Sequence, residues 1–304
     1  MVNITHKSST LRKAIAEATV VVSKQETIDA IQQDLVPKGD VFSFAKVAAL
    51  FGVKKTSELI PDCHPLPIEY TDVQFTIKGL TVLIEVEVHT IYKTGVEVEA
   101  MHGASIAALT MYDMLKPIDA HVMIQQIQLK SKTGGKRDHK NYLDHALKAA
   151  VIVCSDSVSA NQAVDKAGLA VIERLKQLNI QVPVYAVIPD DAVSIKAQVE
   201  SNTNAGIQLL IFVGGTGVSQ RDVTPDTIEP LLHRPLVGIM ETARRFGQDR
   251  MPHAMLSRSV AGLINQTLVL TFPGSLSGSK EYMDALFPHV LHVFDVLSGD
   301  RHGL

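Results

Sequence analysis

Lysines and carboxylates recur in the first 140 residues at spacings that favour proton transfer. Lys38 opens a Lys-Gly-Asp-Val-Phe run, Glu97 and Glu99 stand two apart, and Asp113 precedes Lys116 by three residues. On a helix, that last spacing puts both side chains on one face. A lysine whose pKa is depressed beside an aspartate is suited to proton transfer. The alternative is that Asp113 and Lys116 form a surface ion pair that stabilises the fold little.

Two further groups in this half have more than one interpretation. Asp62, Cys63 and His64 precede a proline, and Cys63 and His64 are only two adjacent ligands, which argues against a structural zinc site. His64 is either a hydrogen-bond donor to a substrate or a buried histidine in a proline-bounded turn. Lys132 and Lys136 flank two glycines, and this segment either cradles a phosphate or serves as a linker.

The second half of the chain carries a glycine-rich turn of a different chemical character. Residues 214–217 read Gly-Gly-Thr-Gly and follow the apolar run Leu209–Val213, which predicts a buried strand. Ligands of open α/β sheets bind at the carboxyl ends of strands, and glycines let backbone N–H groups approach an anion closely. Asp222 and Asp226 follow, as acids that support a magnesium–nucleotide complex would. The alternatives are a plain turn for the glycines and helix capping for the acids.

Composition argues against several classes of function. The formal net charge of −3 and the pI of about 6.5 give no electrostatic footprint for nucleic acid or an anionic membrane. With no tryptophan and 5% aromatic residues, stacking on bases has little support. No apolar run approaches the roughly 18 residues that span a bilayer, and residues 1–12 lack the apolar core of a secretory signal. Two distant cysteines indicate a reducing environment, so we expect a cytoplasmic protein.

A polar, glycine-bearing stretch at residues 131–141 predicts the boundary between two domains, which we place at 1–140 and 147–304. After this boundary, short and nearly continuous apolar runs alternate with helical stretches, which predicts a mostly parallel sheet covered on both faces. The predicted strands are Ala149–Cys154, Val182–Ile188, Leu209–Val213 and Leu268–Phe272, and the predicted helices lie near 163–177, 194–204, 236–246 and 279–297.

The first domain has a different pattern of elements. Residues 73–88 alternate in polarity around a glycine-bearing turn and predict a hairpin. Residues 41–52 and 96–115 have helical apolar spacing, and Thr94 and Glu97 match a capping box at the start of the second helix. Strands beside helices without strict alternation predict an α+β domain with an antiparallel sheet.

The length of the second helix separates the candidate residues at its two ends. Asp113 lies sixteen positions after Glu97, which is about 24 Å on an unbroken helix. One small-molecule pocket in one subunit cannot easily hold both ends. Either the helix breaks near Gly103 or the two ends contribute to pockets shared between subunits. We expect the shared pocket, and therefore a homo-oligomer.

The motifs of the first domain resemble those of cyclic pyranopterin monophosphate synthase, the second enzyme of molybdenum cofactor biosynthesis. The similarity runs from about Met1 to Asp138. The resemblance implies a ferredoxin-like fold and a trimer or hexamer with pockets between subunits, without a tightly bound cofactor. It also implies conversion of 3′,8-cyclo-7,8-dihydroguanosine 5′-triphosphate to the cyclic monophosphate with loss of pyrophosphate. The segments that carry it, in order, are Lys38–Phe42, Ile60–Leu66, Lys93–Ala100, Ala104–Lys116 and Lys132–Lys136.

This resemblance also implies roles for individual residues. The sequence departs from the family pattern at Val98, where methionine is usual, and at Arg137, where glycine is common. Neither is a titrating catalytic group, so the departures bear on substrate fit more than on activity. The catalytic positions fall on Lys38, Asp113 and Lys116, and the substrate-contacting positions fall on Asp62, Cys63, His64, Glu97, Val98, Glu99, Lys132 and Lys136.

The second domain resembles the molybdopterin-binding family, which includes molybdopterin adenylyltransferase. The similarity covers about 147–304 and implies a three-layer α/β fold that binds pterin and nucleotide. The likeness to the adenylyltransferase implies ATP as co-substrate and Mg²⁺ as metal for an adenylyl transfer. The segments that carry it are Gly214–Asp226, Glu241–Arg244, Leu256–Val260 and Pro273–Ser275. The ligand-binding positions fall on Gly214, Gly215, Thr216, Gly217, Asp190, Asp222, Glu241 and Ser275, with Asp222 at the Mg²⁺ position.

One departure bears on the second activity. Ala167 stands where active members of the family usually have serine. Two hypotheses therefore stay open for the second domain. It is either a molybdopterin adenylyltransferase, which makes the chain bifunctional, or a pterin-binding or oligomerising module without catalysis. In both hypotheses the partners are small pterin and nucleotide substrates, not nucleic acid or a membrane.

Overall fold

A computed structural model describes residues 1–135 and 147–299 of the chain. The chain divides into two compact units, Met1–Asp138 and His139–Leu304. Residues 136–141 of the predicted phosphate-cradling or linker segment, which include Lys136 and Arg137, lie outside the described residues. Within the described residues, no helix combines the length and the apolar character needed to cross a bilayer.

The N-terminal unit is an antiparallel four-stranded sheet with helices packed on one face. Its strands lie in the order β2-β3-β1-β4, and every neighbouring pair is antiparallel. This arrangement confirms the predicted α+β class with an antiparallel sheet. The elements are β1 (Thr10–Val21), α1 (Gln25–Gln32), α2 (Val41–Lys54), α3 (Thr56–Leu59), β2 (Tyr70–Lys78), β3 (Thr81–Tyr92), α4 (Glu97–Leu115) and β4 (Met123–Thr133).

Alternation of polarity decides which face of this sheet is buried. Val82, Ile84, Val86 and Val88 of β3 are fully buried, whereas the residues between them are partly exposed. The predicted hairpin joins β2 to β3 through Gly79, whose φ of +59° is a left-handed conformation that favours glycine. The buried face packs against α4, so this helix has a fixed position on the sheet.

Helix α4 is continuous from Glu97 to Leu115, so the predicted alternative of a break near Gly103 is wrong. A Cβ atom on Gly103 would lie 2.6 Å from Val53 Cγ2 of α2 and 3.2 Å from Val86 Cγ1 of β3. The glycine therefore allows two helices and the sheet to approach closely, and it does not end the helix. Buried alanines at positions 100, 104, 107 and 108 continue this narrow face.

The start of α4 also differs from its prediction. Val96 is the N-cap residue and makes no side-chain capping bond, so the predicted capping box of Thr94 and Glu97 is wrong. The box requires its acid three residues after the cap, but Glu97 is the first residue of the helix. Its carboxylate instead contacts Lys132 of β4, with Nζ to Oε1 at 3.2 Å.

The C-terminal unit is a six-stranded, mostly parallel sheet in the order β6-β5-β7-β10-β9-β8. Strands β5, β6, β7 and β10 are parallel, as predicted, while β9 and β8 form an antiparallel edge that the sequence patterns did not predict. The strands are β5 (Lys148–Cys154), β6 (Gln181–Ile188), β7 (Leu209–Val213), β8 (Arg234–Pro235), β9 (Ala261–Ile264) and β10 (Thr267–Phe272). The α-helices are α5 (Asp156–Ser159), α6 (Ala167–Gln177), α7 (Ala192–Asn204), α8 (Thr224–Ile228), α9 (Val237–Gln248), α10 (Leu276–Leu286) and α11 (His292–Ser298).

Strand order determines where a ligand crevice forms in this unit. The chain passes from β5 to β6 on one side of β5, and then to β7 on its other side. Such a reversal opens a crevice outside the carboxyl ends of the two central strands. The strands β5 and β7 are almost fully buried, so the polar residues that follow them are the first side chains exposed at this edge.

Candidate active sites

Lys38, Asp113 and Lys116 form one ionic cluster at the C-terminal end of α4. Lys38 Nζ lies 2.6 Å from Asp113 Oδ2 and donates to the Asp113 carbonyl oxygen at 2.8 Å. Lys116 Nζ lies 2.7 Å from Asp113 Oδ1. The loop before α2 supplies Lys38, and the last turn of α4 and its C-cap supply the other two. Two cations thus flank one carboxylate at the surface, where a polyphosphate could enter.

The protonation states of this cluster differ from the predicted ones. Hydrogen bonds from Lys116 and Lys38 lower the pKa of Asp113 to about 2. The same contact raises the pKa of Lys116 above its usual range, so the predicted depressed lysine pKa is wrong for Lys116. The reason is that the lysine ammonium is paired and exposed, whereas a depressed pKa needs burial or a second cation. At neutral pH the cluster holds an ionised carboxylate and a protonated Lys116.

A second cluster occupies the N-terminal end of α4. Cys63 Sγ donates to Glu99 Oε1 at 3.1 Å, and Glu97 pairs with Lys132. Glu99 is buried, and its Oε2 atom has no hydrogen-bond partner among the residues that the structure describes. A buried acceptor without a partner costs free energy, so this end of the helix is built to receive a donor. Val98 lies between the two acids and is exposed.

Burial dominates the electrostatics of this second cluster. Desolvation is the main cause of the raised pKa of the Glu99 carboxyl. Desolvation and then the hydrogen bond to Glu99 raise the pKa of the Cys63 thiol to about 12. The thiol is therefore neutral at physiological pH and is a hydrogen-bond donor, not a nucleophile.

Asp62 and His64 contact the first residues of the chain. Asp62 Oδ1 lies 2.9 Å from the Met1 amino group, and His64 Nε2 lies 2.8 Å from the Val2 carbonyl oxygen. Hydrogen bonding to that amino group lowers the pKa of Asp62. His64 is partly exposed in the described structure, so the alternative that it is a buried histidine of the turn is wrong.

The predicted site residues of the first unit therefore form two groups and not one. The Lys38, Asp113 and Lys116 cluster lies at one end of α4, and the Cys63 and Glu99 cluster lies at the other. The helix between them is unbroken, and the ends are about 24 Å apart along its axis. A single chain does not bring the two clusters together.

The polar residues of the C-terminal unit converge on a single crevice. A cavity of about 700 Å³ opens at the carboxyl ends of β5 and β7. Gly214 and Gly215 after β7 form part of its wall, together with Asp190 after β6 and Asp222. All four belong to the predicted ligand-binding set, and the structure brings them to one place.

Backbone conformation explains the glycines of this wall. Gly214 has a φ of +111°, and a Cβ atom on it would lie 2.1 Å from the Cys154 carbonyl oxygen. Gly215 has a φ of +60°, and its Cβ would lie 2.4 Å from Asp190 Oδ2 and 2.3 Å from Thr224 Oγ1. Any side chain here would displace the chain from the acids beside it, so the turn needs glycine.

The sequence of residues 1–135 matches the model of the MoaC family, and residues 150–292 match the model described as "Probable molybdopterin binding domain". The molybdenum cofactor biosynthesis bifunctional protein of Chlorobaculum tepidum is 39% identical over 302 residues, which cover 99% of this chain and 96% of that protein. The chain belongs to the family of bifunctional molybdenum cofactor biosynthesis proteins.

Other relatives agree with this family. The bifunctional protein of Synechococcus elongatus is 34% identical over 316 residues, covering 100% of this chain and 99% of that protein. The cyclic pyranopterin monophosphate synthase of Listeria innocua is 48% identical over 137 residues, covering 45% of this chain and 85% of that protein. Both predicted resemblances, and their order along the chain, are confirmed.

The remaining residues of the glycine turn, Thr216 and Gly217, contact the rest of the fold and not the crevice. Thr216 and Gly217 do not line the cavity. Their carbonyl oxygens accept from Arg258, through its backbone N at 2.9 Å and its Nε at 2.7 Å. Asp226 accepts two bonds of 2.8 Å from Arg258 Nη1. The interpretation of Asp226 as a support for a nucleotide is therefore wrong, because an arginine that holds the turn occupies its carboxylate.

Glu241 and Ser275 also lie outside the crevice lining. Glu241 is exposed on α9, whose buried face carries Met240 and Ala243. Ser275 is the N-cap of α10 and accepts from the Gly278 backbone N at 3.2 Å. It lines a separate, smaller cavity of about 180 Å³. The helical repeat of α9 places Glu241 on the exposed face, and capping of α10 explains the position of Ser275.

Asp190 and Asp222 are the two acids of the predicted ligand-binding set that line the crevice. Burial, and then the charges of Asp222 and Asp156, raise the pKa of Asp190. A cation between Asp190 and Asp222 would relieve this repulsion, and Mg²⁺ is usually held by one or two carboxylates plus substrate phosphates. Across residues 1–135 and 147–299, no group of three or more His, Cys, Asp or Glu side chains is arranged to hold a metal by itself.

The predicted set missed several side chains of the crevice. Asp156, Asp165, Lys166 and Arg221 also line it. Asp156 follows β5 within two residues, so the rule about strand ends that selected the glycine turn also applies to it. Arg221 had no such signal, because its position depends on the path of the loop after the glycines.

Proposed function

We propose that the N-terminal unit converts 3′,8-cyclo-7,8-dihydroguanosine 5′-triphosphate to cyclic pyranopterin monophosphate and pyrophosphate. The observation that carries this proposal is the cluster of Lys38, Asp113 and Lys116, three residues from two separate parts of the sequence that meet within hydrogen-bond distance. Relatives of this unit include proteins named cyclic pyranopterin monophosphate synthase. The split β-α-β order of the sheet supports a ferredoxin-like assignment for the unit.

The charges of the cluster suit both parts of this reaction. In the cyclisation, a substrate hydroxyl oxygen bonds to the α-phosphorus and gives up its proton. The bond from that phosphorus to the oxygen bridging to the β-phosphate breaks, and pyrophosphate leaves with the electron pair. Lys38 and Lys116 stabilise the negative charge that develops on both products. Lys116 is protonated and carries a proton for the ring rearrangement, although its pairing with Asp113 makes it a weaker acid than an unpaired lysine. Ionised Asp113 orients the two ammonium groups.

The N-terminal unit works as a homo-oligomer in this proposal. Its two clusters lie at opposite ends of one helix, so a substrate that contacts both must lie between two copies. Phe44, Val47 and Phe51 are each more than half exposed and form an apolar stripe on one face of α2. Lys38 at the start of this stripe contacts Asp113, so the stripe begins beside one cluster. A second copy packed there would cover an apolar surface and complete the pocket.

Mixed oligomers test the shared pocket. An Asp113→Ala chain and a Glu99→Ala chain are each expected to be inactive alone. Dissociating and mixing them should restore roughly a quarter of wild-type activity, because random pairing leaves that share of two-copy pockets intact. No recovery after verified subunit exchange would refute the shared pocket, while leaving the assignment of the reaction unaffected.

For the C-terminal unit, the proposed reaction is adenylyl transfer from ATP to molybdopterin. A pterin phosphate oxygen bonds to the α-phosphorus of ATP, the bond to the oxygen bridging to the β-phosphate breaks, and pyrophosphate leaves. Asp190 and Asp222 would hold a magnesium ion, which neutralises phosphate charge when bound. The glycine turn after Gly214 would present backbone N–H groups to the phosphates, whereas the N–H of Gly214 itself donates to the Phe272 carbonyl oxygen at 3.0 Å. The observation that carries the proposal is the convergence of both acids and this turn on one crevice.

One observation favours a second candidate for this unit, a pterin-binding module without catalysis. Ala167 lines the crevice and has no hydroxyl at the position where the adenylyltransferase resemblance places serine. The lost hydroxyl removes one hydrogen-bonding group from the pocket. Binding of molybdopterin without turnover would then be the function of the crevice.

Both activities are tested on the full-length chain by mass spectrometry of products. The wild type, Asp113→Ala and Asp222→Ala are each supplied with the cyclised nucleotide, and separately with molybdopterin, ATP and Mg²⁺. We expect Asp113→Ala to lose only the first product and Asp222→Ala only the second. Binding of molybdopterin without any adenylylated product in the wild type would establish the non-catalytic candidate instead.

A further inference from the structure

Arg221 stands at the crevice of the C-terminal unit with a single charged partner in the described structure. Its guanidinium forms an ion pair with the Asp156 carboxylate, and its side chain is 76% exposed. Asp156 follows β5, whereas Arg221 lies on the loop after β7. The pair therefore joins two different walls of the same crevice.

The crevice has more acidic than basic side chains in its lining, so a phosphate that binds there requires a basic side chain to contact it. Among the described residues that line it, Asp156, Asp165, Asp190 and Asp222 are acidic, while Lys166 and Arg221 are basic. Nucleotide phosphates would thus enter a surface with an excess of carboxylates. Repulsion opposes this entry, unless a basic side chain turns from a carboxylate to the ligand.

Arg258, which contacts the glycine turn from the segment before β9, is an arginine with a structural role. Arg258 is only 37% exposed. It donates to both oxygens of Asp226 and to the Gly217 carbonyl oxygen. Removing it would leave several acceptors without donors. Arg221 has one carboxylate partner and high exposure, and such ion pairs contribute little to stability.

Asp156 keeps a partner when Arg221 leaves it. Its Oδ1 atom accepts from the Asp190 backbone N at 3.2 Å, whereas the arginine contacts Oδ2. The carboxylate is also partly exposed, so water can replace the guanidinium. Separation of the ion pair therefore leaves no buried, unpartnered group.

We propose that Arg221 is a phosphate-binding residue that exchanges Asp156 for a phosphate group when nucleotide enters the crevice. The planar guanidinium fork can make two parallel bonds to phosphate oxygens, which an ammonium group cannot. The inference rests on the proposed binding of nucleotide by the C-terminal unit. It assigns Arg221 to ligand binding and Asp156 to holding the arginine before nucleotide enters.

The two partners are predicted to have opposite effects on nucleotide binding. Titration calorimetry of the full-length protein with ATP and Mg²⁺ compares the wild type with Arg221→Ala, Arg221→Lys and Asp156→Asn. We expect Arg221→Ala to weaken binding about tenfold or more, and Arg221→Lys to give an intermediate loss, since charge-assisted bonds to phosphate are lost. Asp156→Asn should bind as tightly as the wild type or more tightly, because it frees the arginine and still accepts from Asp190.

A purely structural ion pair gives a different pattern. Arg221→Ala and Asp156→Asn would then weaken binding equally and lower the unfolding temperature equally, which would overturn the proposal. Arg174→Ala is the matched control, because Arg174 pairs with Asp284 away from the crevice at 3.3 Å, and ATP binding should not change. If the wild type binds no ATP, the proposed function fails as well. If it binds ATP and Arg221→Ala binds equally tightly, only this inference fails.

Discussion

The two units of this chain assemble their polar residues in opposite ways. In the C-terminal unit, residues from separate loops after β5, β6 and β7 reach one crevice in a single chain. In the N-terminal unit, the candidate residues are divided between the two ends of α4, with the lysine–aspartate cluster at one end and the Cys63–Glu99 pair at the other.

Sheet geometry explains this difference. Parallel strands all end at the same edge of a sheet, so loops that follow them meet automatically. An antiparallel sheet with helices on one face has no such common edge, and a long helix carries its two ends apart. A site in the first architecture can be complete in one chain, whereas a site in the second can need another copy.

Replacement of the cluster at the end of α4 is the largest predicted effect. Lys38→Ala and Asp113→Ala should each lower formation of cyclic pyranopterin monophosphate by about 10²- to 10⁴-fold, because they remove charge and proton-transfer groups from the reacting centre. Product is measured by mass spectrometry on the full-length protein. The exposure of these side chains predicts an unchanged unfolding temperature.

The matched control for this cluster is another lysine–carboxylate pair with the same spacing. Lys55 Nζ lies 3.7 Å from Glu58 Oε2, three residues further along the chain. Lys55→Ala should leave the rate of product formation unchanged. An equal loss in Lys55→Ala would mean that the cluster acts only through surface charge. The lysine–aspartate cluster would then not be a specific catalytic site, and the difference between the two units would have no consequence for function.

The next effect distinguishes two acids that follow the glycine turn. Asp222→Ala should lower adenylyl transfer by about 10²- to 10³-fold, because the magnesium ion that would neutralise the phosphates loses one of its carboxylate ligands. Asp226→Asn should lower the unfolding temperature and keep most of the transfer, since Asp226 pairs with Arg258 outside the cavity. Rates at saturating ATP measure the transfer by both variants, and thermal unfolding measures the stability of Asp226→Asn. Equal losses of transfer would contradict the separation of ligand-binding and structural acids.

Acid stability tests a buried carboxylate in the N-terminal unit. Burial alone would raise the pKa of Asp119, but hydrogen bonds from Ser23, His121 and Thr27 lower it to about 2. This folded-state pKa is below the ordinary 3.8, so the stabilisation is present above pH 3.8 and is lost as the pH falls toward 2. Asp119→Asn should cost about 1–3 kcal/mol at neutral pH.

Hydrogen–deuterium exchange over residues 18–32 measures this loss within the N-terminal unit. The wild type should lose protection there as the pH falls below 4 by more than the Asp119→Asn variant does, once intrinsic exchange rates are corrected. Ser23→Ala removes one donor and gives a smaller change in the same direction. Equal pH dependence of wild type and variant would contradict the assignment of the low pKa to this network.

The smallest predicted effect concerns the start of α4. Thr94→Ala should change the free energy of unfolding by less than about 0.5 kcal/mol, because the helix begins without a side-chain cap. A real capping threonine would cost about 1 kcal/mol. Urea unfolding of both proteins measures the difference. A decrease of about 1 kcal/mol in the free energy of unfolding would show that Thr94 does cap the helix, as the local sequence pattern predicts.

The predicted elements agree closely with the structure where local patterns are strong. The hairpin of β2 and β3, helices α2 and α4, and the four parallel strands lie within a few residues of their predicted bounds. Period-two alternation and continuous apolar runs cause this agreement, because burial of one face or both faces is a local requirement. The antiparallel strands β8 and β9 were missed. One is two residues long, and the other is a short apolar run without alternation.

The sequence by itself determined the two fold classes, the family and the identity of the acids, lysines and glycines that could do chemistry. Only the tertiary structure decided which of these meet. It paired Lys38 with Asp113 across 75 residues, assigned Asp226 to Arg258, and brought Arg221 to Asp156. It also kept α4 unbroken at Gly103, because the glycine fits against α2. Local propensity acts over a few neighbouring residues, whereas these contacts depend on how distant elements pack.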